Sequence, residues 1–288
     1  MAANVIGIVF DGVAYGCLLF LISIGLSVTM GLMNFINLAH GAFAMLGGYV
    51  CVMGMTRLGM PFLAALAVSP FVGAIVGVLL ERTLYRRLYD ATHLDQVLFT
   101  IGLVFMSVAT AAYFFGPSQQ PVSLPAFITG QVSLFGVQLG SYRLFLIAVV
   151  LVITVALHML LERTRFGAQV RASVDNPVAS KGLGINVERV FSVTFALGSA
   201  LAALGGGLAI NMLGLDPNFP LKYMVYFLLV VAVGGGASIP GPLVAAILLG
   251  LFDVAGKYYV PEVGSFVIYF IMVVTLVVFP NGLFGKRS

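Results

Sequence analysis

Residues 162–189 form the one long polar stretch of a chain that is otherwise almost continuously apolar, and they hold eight of its 24 Asp, Glu, Lys and Arg residues. Apolar runs flank the stretch at 144–161 and 190–213, each close to the roughly 20 residues needed to cross a bilayer. A charged segment between two such runs is a water-exposed connection between membrane spans. Five of its charges are basic (Arg163, Arg165, Arg171, Lys181 and Arg189), and short loops rich in Lys and Arg stay on the cytoplasmic side. Residues 162–189 are therefore placed in the cytoplasm.

The rest of the chain agrees with a membrane setting. Only 8% of its residues are charged and 61% are hydrophobic, whereas soluble domains carry about 25% charged residues. The 34 glycines suit helices that pack closely in lipid through small residues. A net charge of +4 raises nucleic acid as a partner, but the basic residues sit at span ends and in loops, where membrane topology explains them and nucleic acid does not. Cys17 and Cys51 lie in apolar runs without ligand spacing, which argues against a metal site or a disulfide. The amino terminus lacks the basic region and cleavage pattern of a secretory signal, so the first apolar run is expected to be a retained span.

Apolar runs at 5–30, 40–56, 61–81, 94–115, 142–161, 188–212, 223–236, 240–257 and 263–280 predict an all-α, polytopic integral membrane helical bundle, with residues 1–288 as a single domain. Arg82, Arg86 and Arg87, and the tail with Lys286 and Arg287, belong on the cytoplasmic side with the 162–189 loop. Counting between these anchors gives nine spans and an external amino terminus, or eight if one broken segment is re-entrant. Residues 116–142, rich in Pro, Gly, Ser and Gln, then form an external loop. Gly130 with Gln131 is the expected turn of a small hairpin there, a cap over the spans or a docking surface for a soluble partner.

Two places interrupt the apolar pattern. In residues 33–48, Asn34, Asn37 and His40 precede and begin a span; in lipid, unpaired polar groups are costly, so such residues face protein or a wet cavity. In residues 234–242, Gly234, Gly235 and Gly236 lead to Pro240 and Pro242, which a continuous helix does not accommodate. Broken helices present backbone groups to a solute pathway. The expected pathway residues are thus Asn34, Asn37, His40, Gly41, Gly234, Gly235, Gly236 and Pro240. Plainer readings stand beside this one: Asn37 as a helix cap, His40 as an interfacial residue or a helix-to-helix hydrogen bond, and the glycines as a tight turn.

No phosphate-binding glycine loop, zinc-binding His/Glu pair or nucleophile elbow is present. Away from the span ends, Asp11 and Asp253 are the only acidic residues in the expected spans, and Lys257 lies one helical turn after Asp253, the spacing of an ordinary ion pair. A pore without an energy source, joined to a large basic cytoplasmic loop, points to a translocation subunit driven by another protein. A self-sufficient channel or secondary carrier for a small polar solute remains the alternative, and a membrane enzyme lacks its catalytic cluster.

The motifs carry a resemblance across essentially the whole length. Asn37-Leu38-Ala39-His40-Gly41, Thr164 with Gly167, Arg171 and Ala172, Leu183-Gly184-Ile185-Asn186, Ser238-Ile239-Pro240-Gly241, and Pro280 with Gly282, Leu283 and Gly285 are similar to signatures of the branched-chain amino acid ABC-transporter permeases. That family also includes importers of urea and amides. Ala237, Phe279 and Arg87 depart from its usual residues. The resemblance implies a subunit of a bacterial inner-membrane importer that pairs with a second homologous permease, two cytoplasmic ATP-binding subunits and an external solute-binding protein. ATP would bind to the partners, and this chain would carry no cofactor. It further implies that the loop couples to an ATPase through Arg165, Gly167, Arg171, Asp175, Pro177 and Lys181. Asn176 as cap and Pro177 at the first helical position independently predict a short helix over 177–181, closed by Gly182.

Overall fold

A computed structural model describes residues 2–33, 35–89, 91–122, 124–134, 137–235, 239–279 and 282–283. Its helices are α1 (Ala2–Met33), α2 (His40–Arg57), α3 (Phe62–Thr83), α4 (His93–Phe115) and the single turn α5 (Ala126–Thr129); then, after the strands β1 (Gln131–Leu134) and β2 (Val137–Gly140), α6 (Ser141–Arg163), α7 (Arg165–Asp175), α8 (Pro177–Gly182), α9 (Val187–Leu213), α10 (Phe219–Gly234), α11 (Pro240–Tyr259) and α12 (Gly264–Val278). A 3₁₀ turn at Tyr85–Leu88 follows α3. Six of the helices, α1, α3, α4, α6, α9 and α11, are long and apolar enough to cross a bilayer. The protein is an all-α polytopic membrane bundle. At about 1.5 Å per residue, the 16 residues of α10 give roughly 24 Å, short of a bilayer's hydrocarbon core of about 30 Å.

Lipid offers no hydrophobic drive between helices, so backbone approach through small residues has to hold them. The centre of the bundle is α9, buried along most of its length through Ser192, Ser199, Ala202, Ala203 and Gly205–Gly207. Its glycines and alanines let three helices press in. A Cβ on Gly205 would lie 3.1 Å from the Ile22 amide of α1, one on Gly206 would strike Ala44 of α2, and one on Gly73 of α3 would lie 2.9 Å from the Ser199 carbonyl. The second tight seam joins α1 to α11, where a Cβ on Gly16 would sit 2.7 Å from the Ala246 carbonyl and the Ile247 Cα. By contrast α6 buries one stripe, Tyr142, Leu146, Val150 and Leu157.

Ion pairs sort the helix ends. Arg86, beside the end of α3, pairs with Glu188 at the start of α9, bringing the two basic loops to one end. At the opposite end Arg143 of α6 pairs with Asp11 of α1 at 2.8 Å, and the Gln120 amide donates to the Leu215 carbonyl at 2.8 Å. The hairpin lies at this second end, but its turn is not at Gly130 and Gln131. The antiparallel register runs from Gln131 with Gly140 to Leu134 with Val137, so the chain reverses between Leu134 and Val137. Gly130 instead precedes the strand and accepts the Ser141 amide at 2.9 Å, closing the base of the hairpin.

Candidate translocation and coupling sites

The first interruption is an extended stretch that leads the chain from the end of α1 back into the bundle, where α2 completes the crossing. At the start of α2, His40 Nε2 donates to the Ile22 carbonyl at 2.8 Å. Ile22 lies about three turns, or ~16 Å, before α1 ends at Met33. Residues 35–39 therefore travel back along α1 without helical hydrogen bonds. Such backbone survives at membrane depth only if protein encloses it, and Phe35, Asn37 and Ala39 are all buried. The Gln96 side chain accepts the Ile36 amide at 3.3 Å, and the Asn37 carbonyl accepts the His40 amide at 3.4 Å.

Asn37 is not a helix cap. Ala39 occupies the cap position without a side-chain bond, and Asn37 Oδ1 instead accepts from the Tyr85 hydroxyl at 3.0 Å. Burial pushes the Tyr85 phenol well above its usual range, opposed by this bond. His40 makes the helix-to-helix bond that the sequence left open as one of its readings. Gly41 is buried against α10, where a Cβ would lie 3.2 Å from Pro220 Cα. A neighbouring apolar cavity of about 320 Å³, between α2, α3 and α4, is lined by Ala39, Phe43, Tyr49, Met53, Tyr85 and Phe115 among others; neither Asn37 nor His40 lines it.

At the second interruption α10 stops at Gly234 and α11 starts at Pro240. A Cβ on Gly234 would meet Pro242 N at 2.5 Å, so the two helix ends touch backbone to backbone. Gly235 has φ +82°, a left-handed conformation that favours glycine. Pro240 is exposed in the first turn of α11. The Leu283 amide donates to the Val233 carbonyl at 2.7 Å, returning the chain to the end of α10. Asn34 and Gly236 lie outside the described residues.

The loop between α6 and α9 is largely helical. The short helix expected over 177–181 is α8, with Asn176 Oδ1 accepting the Ala179 amide at 2.9 Å and Pro177 in the first turn. The longer α7 before it was not foreseen. Its signal is the Thr164 cap, which accepts the Gly167 amide at 3.2 Å, followed by Gly167, Val170 and Ser173 on one buried face. Gly167 rests on the Leu161 backbone, and Arg171 donates to the Leu161 carbonyl with its Nη1 3.7 Å from Glu162. Arg165, Arg171, Asp175, Pro177 and Lys181 are exposed. Two apolar side chains that sequence reasoning missed stand out beside them, Val178 at 79% and Leu183 at 82% exposure.

Glu81 was also missed. Placed at the end of an expected span, beside the basic residues that follow it, it is 1% exposed. It accepts from Tyr89 at 2.7 Å and from Ser192 of α9 at 2.6 Å, clamping α3, the turn after it and α9. Burial, then the bond to Glu81, holds the Tyr89 phenol well above its usual range, so it remains a donor.

A bundle with two interrupted spans, and a helical loop anchored to one of its ends, fits the class of membrane permeases. The sequence matches the family described as branched-chain amino acid transport system / permease component over residues 8–276, and the chain belongs to that family. It is 28% identical to the high-affinity branched-chain amino acid transport system permease protein LivH of Escherichia coli K12, over 96% of this chain and 94% of the relative. It is 30% identical to the probable branched-chain amino acid transport permease protein LivH of Methanocaldococcus jannaschii, over 95% and 90%. The fructose import permease protein FrcC of Rhizobium meliloti is 26% identical over 76% of this chain and 62% of its own length. No solved structure matches the chain at a significant level.

Proposed function

We propose that this permease forms half of the pathway of an ATP-driven importer for branched-chain amino acids or a related small polar solute, and that α7 and α8 dock on a cytoplasmic ATP-binding subunit. The remaining components are a second homologous permease, a second ATP-binding subunit and an external solute-binding protein. ATP binds to the partners. The substrate class is that of the branched-chain amino acid permeases that the chain matches over nearly their whole length.

The observation that carries the docking is the tip of the loop. Val178 and Leu183 are almost fully exposed beside Lys181 on a capped helix, and apolar side chains gathered in water at a rigid projection mark an interaction surface. The anchor of α7 on Leu161 and Glu162 gives that surface a mechanical connection to α6. Asn37, His40 and Gly41 at the first interruption, and Gly234, Gly235 and Pro240 at the second, shape the pathway through backbone placement.

The test is reconstitution with the partner subunits. Val178→Asp with Leu183→Asp, or Arg171→Glu, leaves membrane insertion intact while weakening ATPase co-purification or uncoupling hydrolysis from uptake. Normal co-purification together with normal solute-stimulated ATPase activity would remove the loop from the transmission path. ATP-independent uptake by the chain alone would instead favour a self-sufficient carrier.

A further inference from the structure

At the end of the bundle opposite the basic loops, α1, α6, α9, α10 and α11 surround a cavity of about 410 Å³, within the size range of small-molecule sites. Its wall carries both signs of charge. Asp11 pairs with Arg143 at 2.8 Å, and Asp253 pairs with Lys257 at 2.6 Å. The local spacing of Asp253 and Lys257 explains their contact, but not their placement facing a second ion pair across a shared cavity. Ionisable groups within membrane spans are costly and mark functional sites by default.

The two pairs are incompletely satisfied. The Asp253 side chain is 2% exposed; Oδ2 accepts from Lys257, whereas buried Oδ1 has no hydrogen-bond partner among the described residues. An unpaired oxygen on a buried carboxylate is a costly omission unless a ligand completes it. Arg143 gives one Nη1 contact to Asp11, and a guanidinium carries five N–H donors. The Arg143 and Lys257 side chains remain 40% and 48% exposed, so water and solutes reach the cavity. Met212, Leu213 and Val254 supply an apolar wall, and Tyr223 and Tyr226 an aromatic one.

We infer that this cavity binds the charged backbone of an α-amino acid zwitterion at the outer mouth of the pathway, with Asp253 accepting from the ammonium, Arg143 donating to the carboxylate and the apolar wall receiving the side chain. The inference rests on the amino-acid permease reading above and adds a location and a recognition chemistry to it. An apolar solute would leave Asp253 Oδ1 unpaired, and a simple anion or cation would satisfy one side only. A zwitterion satisfies both without changing the net charge of the site.

The test uses the assembled complex in nanodiscs, without the solute-binding protein, and three probes: L-leucine, L-leucinamide, which lacks the carboxylate, and 4-methylpentanoate, which lacks the ammonium. L-Leucine should bind saturably and each analogue about tenfold more weakly or worse, the worth of one charged hydrogen bond. Asp253→Asn should weaken L-leucine and L-leucinamide and leave 4-methylpentanoate unchanged. Arg143→Gln, at a half-exposed helix start, should weaken L-leucine and 4-methylpentanoate and leave L-leucinamide unchanged. Equal affinity for all three probes, absence of saturable L-leucine binding at millimolar concentration, or variants that weaken all three alike would overturn the site. ATP-dependent L-leucine uptake by the wild-type complex with its binding protein separates the two levels of argument. If uptake proceeds without charge discrimination, the site alone is wrong; if uptake fails, the permease reading falls and the site with it.

Discussion

Gly16 and Gly7 share α1, and substituting alanine at each isolates what close approach contributes to this bundle. At Gly16 a Cβ would lie 2.7 Å from both the Ala246 carbonyl and Ile247 Cα; at Gly7 nothing lies within 4 Å. Alanine gains roughly 1 kcal/mol over glycine in a helix interior, and this term largely cancels between the two sites. What remains at Gly16 is overpacking, because the obstructing atoms are backbone and α11 has to move away; such strain costs about 1–3 kcal/mol. At about 2–4 °C per kcal/mol, Gly16→Ala should melt roughly 2–12 °C below Gly7→Ala. Cys17 and Cys51 are both free and buried, so a thiol-reactive dye reports unfolding of the detergent-solubilised protein directly. Equal melting midpoints, or a higher one for Gly16→Ala, would refute the claim that α1 and α11 are held by backbone proximity.

Tyr85→Phe should destabilise the protein by about 1–3 kcal/mol, because it leaves the Asn37 side chain buried without its bond. The double variant Tyr85→Phe with Asn37→Leu should melt above Tyr85→Phe alone; a lower midpoint would mean that Asn37 has another essential partner. Asn176→Ala removes the α8 cap, worth about 0.5–2 kcal/mol of local helix stability, and should speed amide exchange in α8 without changing the global melting midpoint. Reporter fusions after Arg87, Gln120, Lys181 and Pro217 should read inside, outside, inside and outside, and a cytoplasmic signal at Gln120 would overturn the span count of the first half.

What the sequence disclosed was local in kind. The ends of α2, α4, α9 and α11 fall within a few residues of the apolar runs, and the start of α8 was legible because its cap and its proline are neighbours in the chain, whereas Gly182 proves to be its last residue and the left-handed glycine that follows is Gly184. The Asp253–Lys257 pair was legible for the same reason, being one helical turn long. The partner of Asn37 was not, since Tyr85 lies 48 residues away and only the fold brings them together. Glu81 joins α9 through Ser192 across 111 residues, and its place at the edge of a basic loop disguised it as a solvated charge. The hairpin was foreseen but its turn misplaced, because Gly130 looks like a turn residue whether it reverses the chain or seals the base. α7 escaped because Gly167 reads as a helix breaker until the Leu161 backbone beneath it is seen.

The anchoring of α7 on the last turn of α6 has a consequence for motion. With 23 residues, α6 is a rod of roughly 34 Å, loosely embraced by its neighbours, with α7 and α8 at one end and Arg143 at the other. Levered about its inner end by a tilt of about 5°, a rod of that length swings its outer tip by roughly 3 Å. That travel exceeds the 2.8 Å separating Arg143 from Asp11. A small rocking of the handle on the water side is thus magnified, by length alone, into the distance between a closed ion pair and an open one at the far side of the membrane.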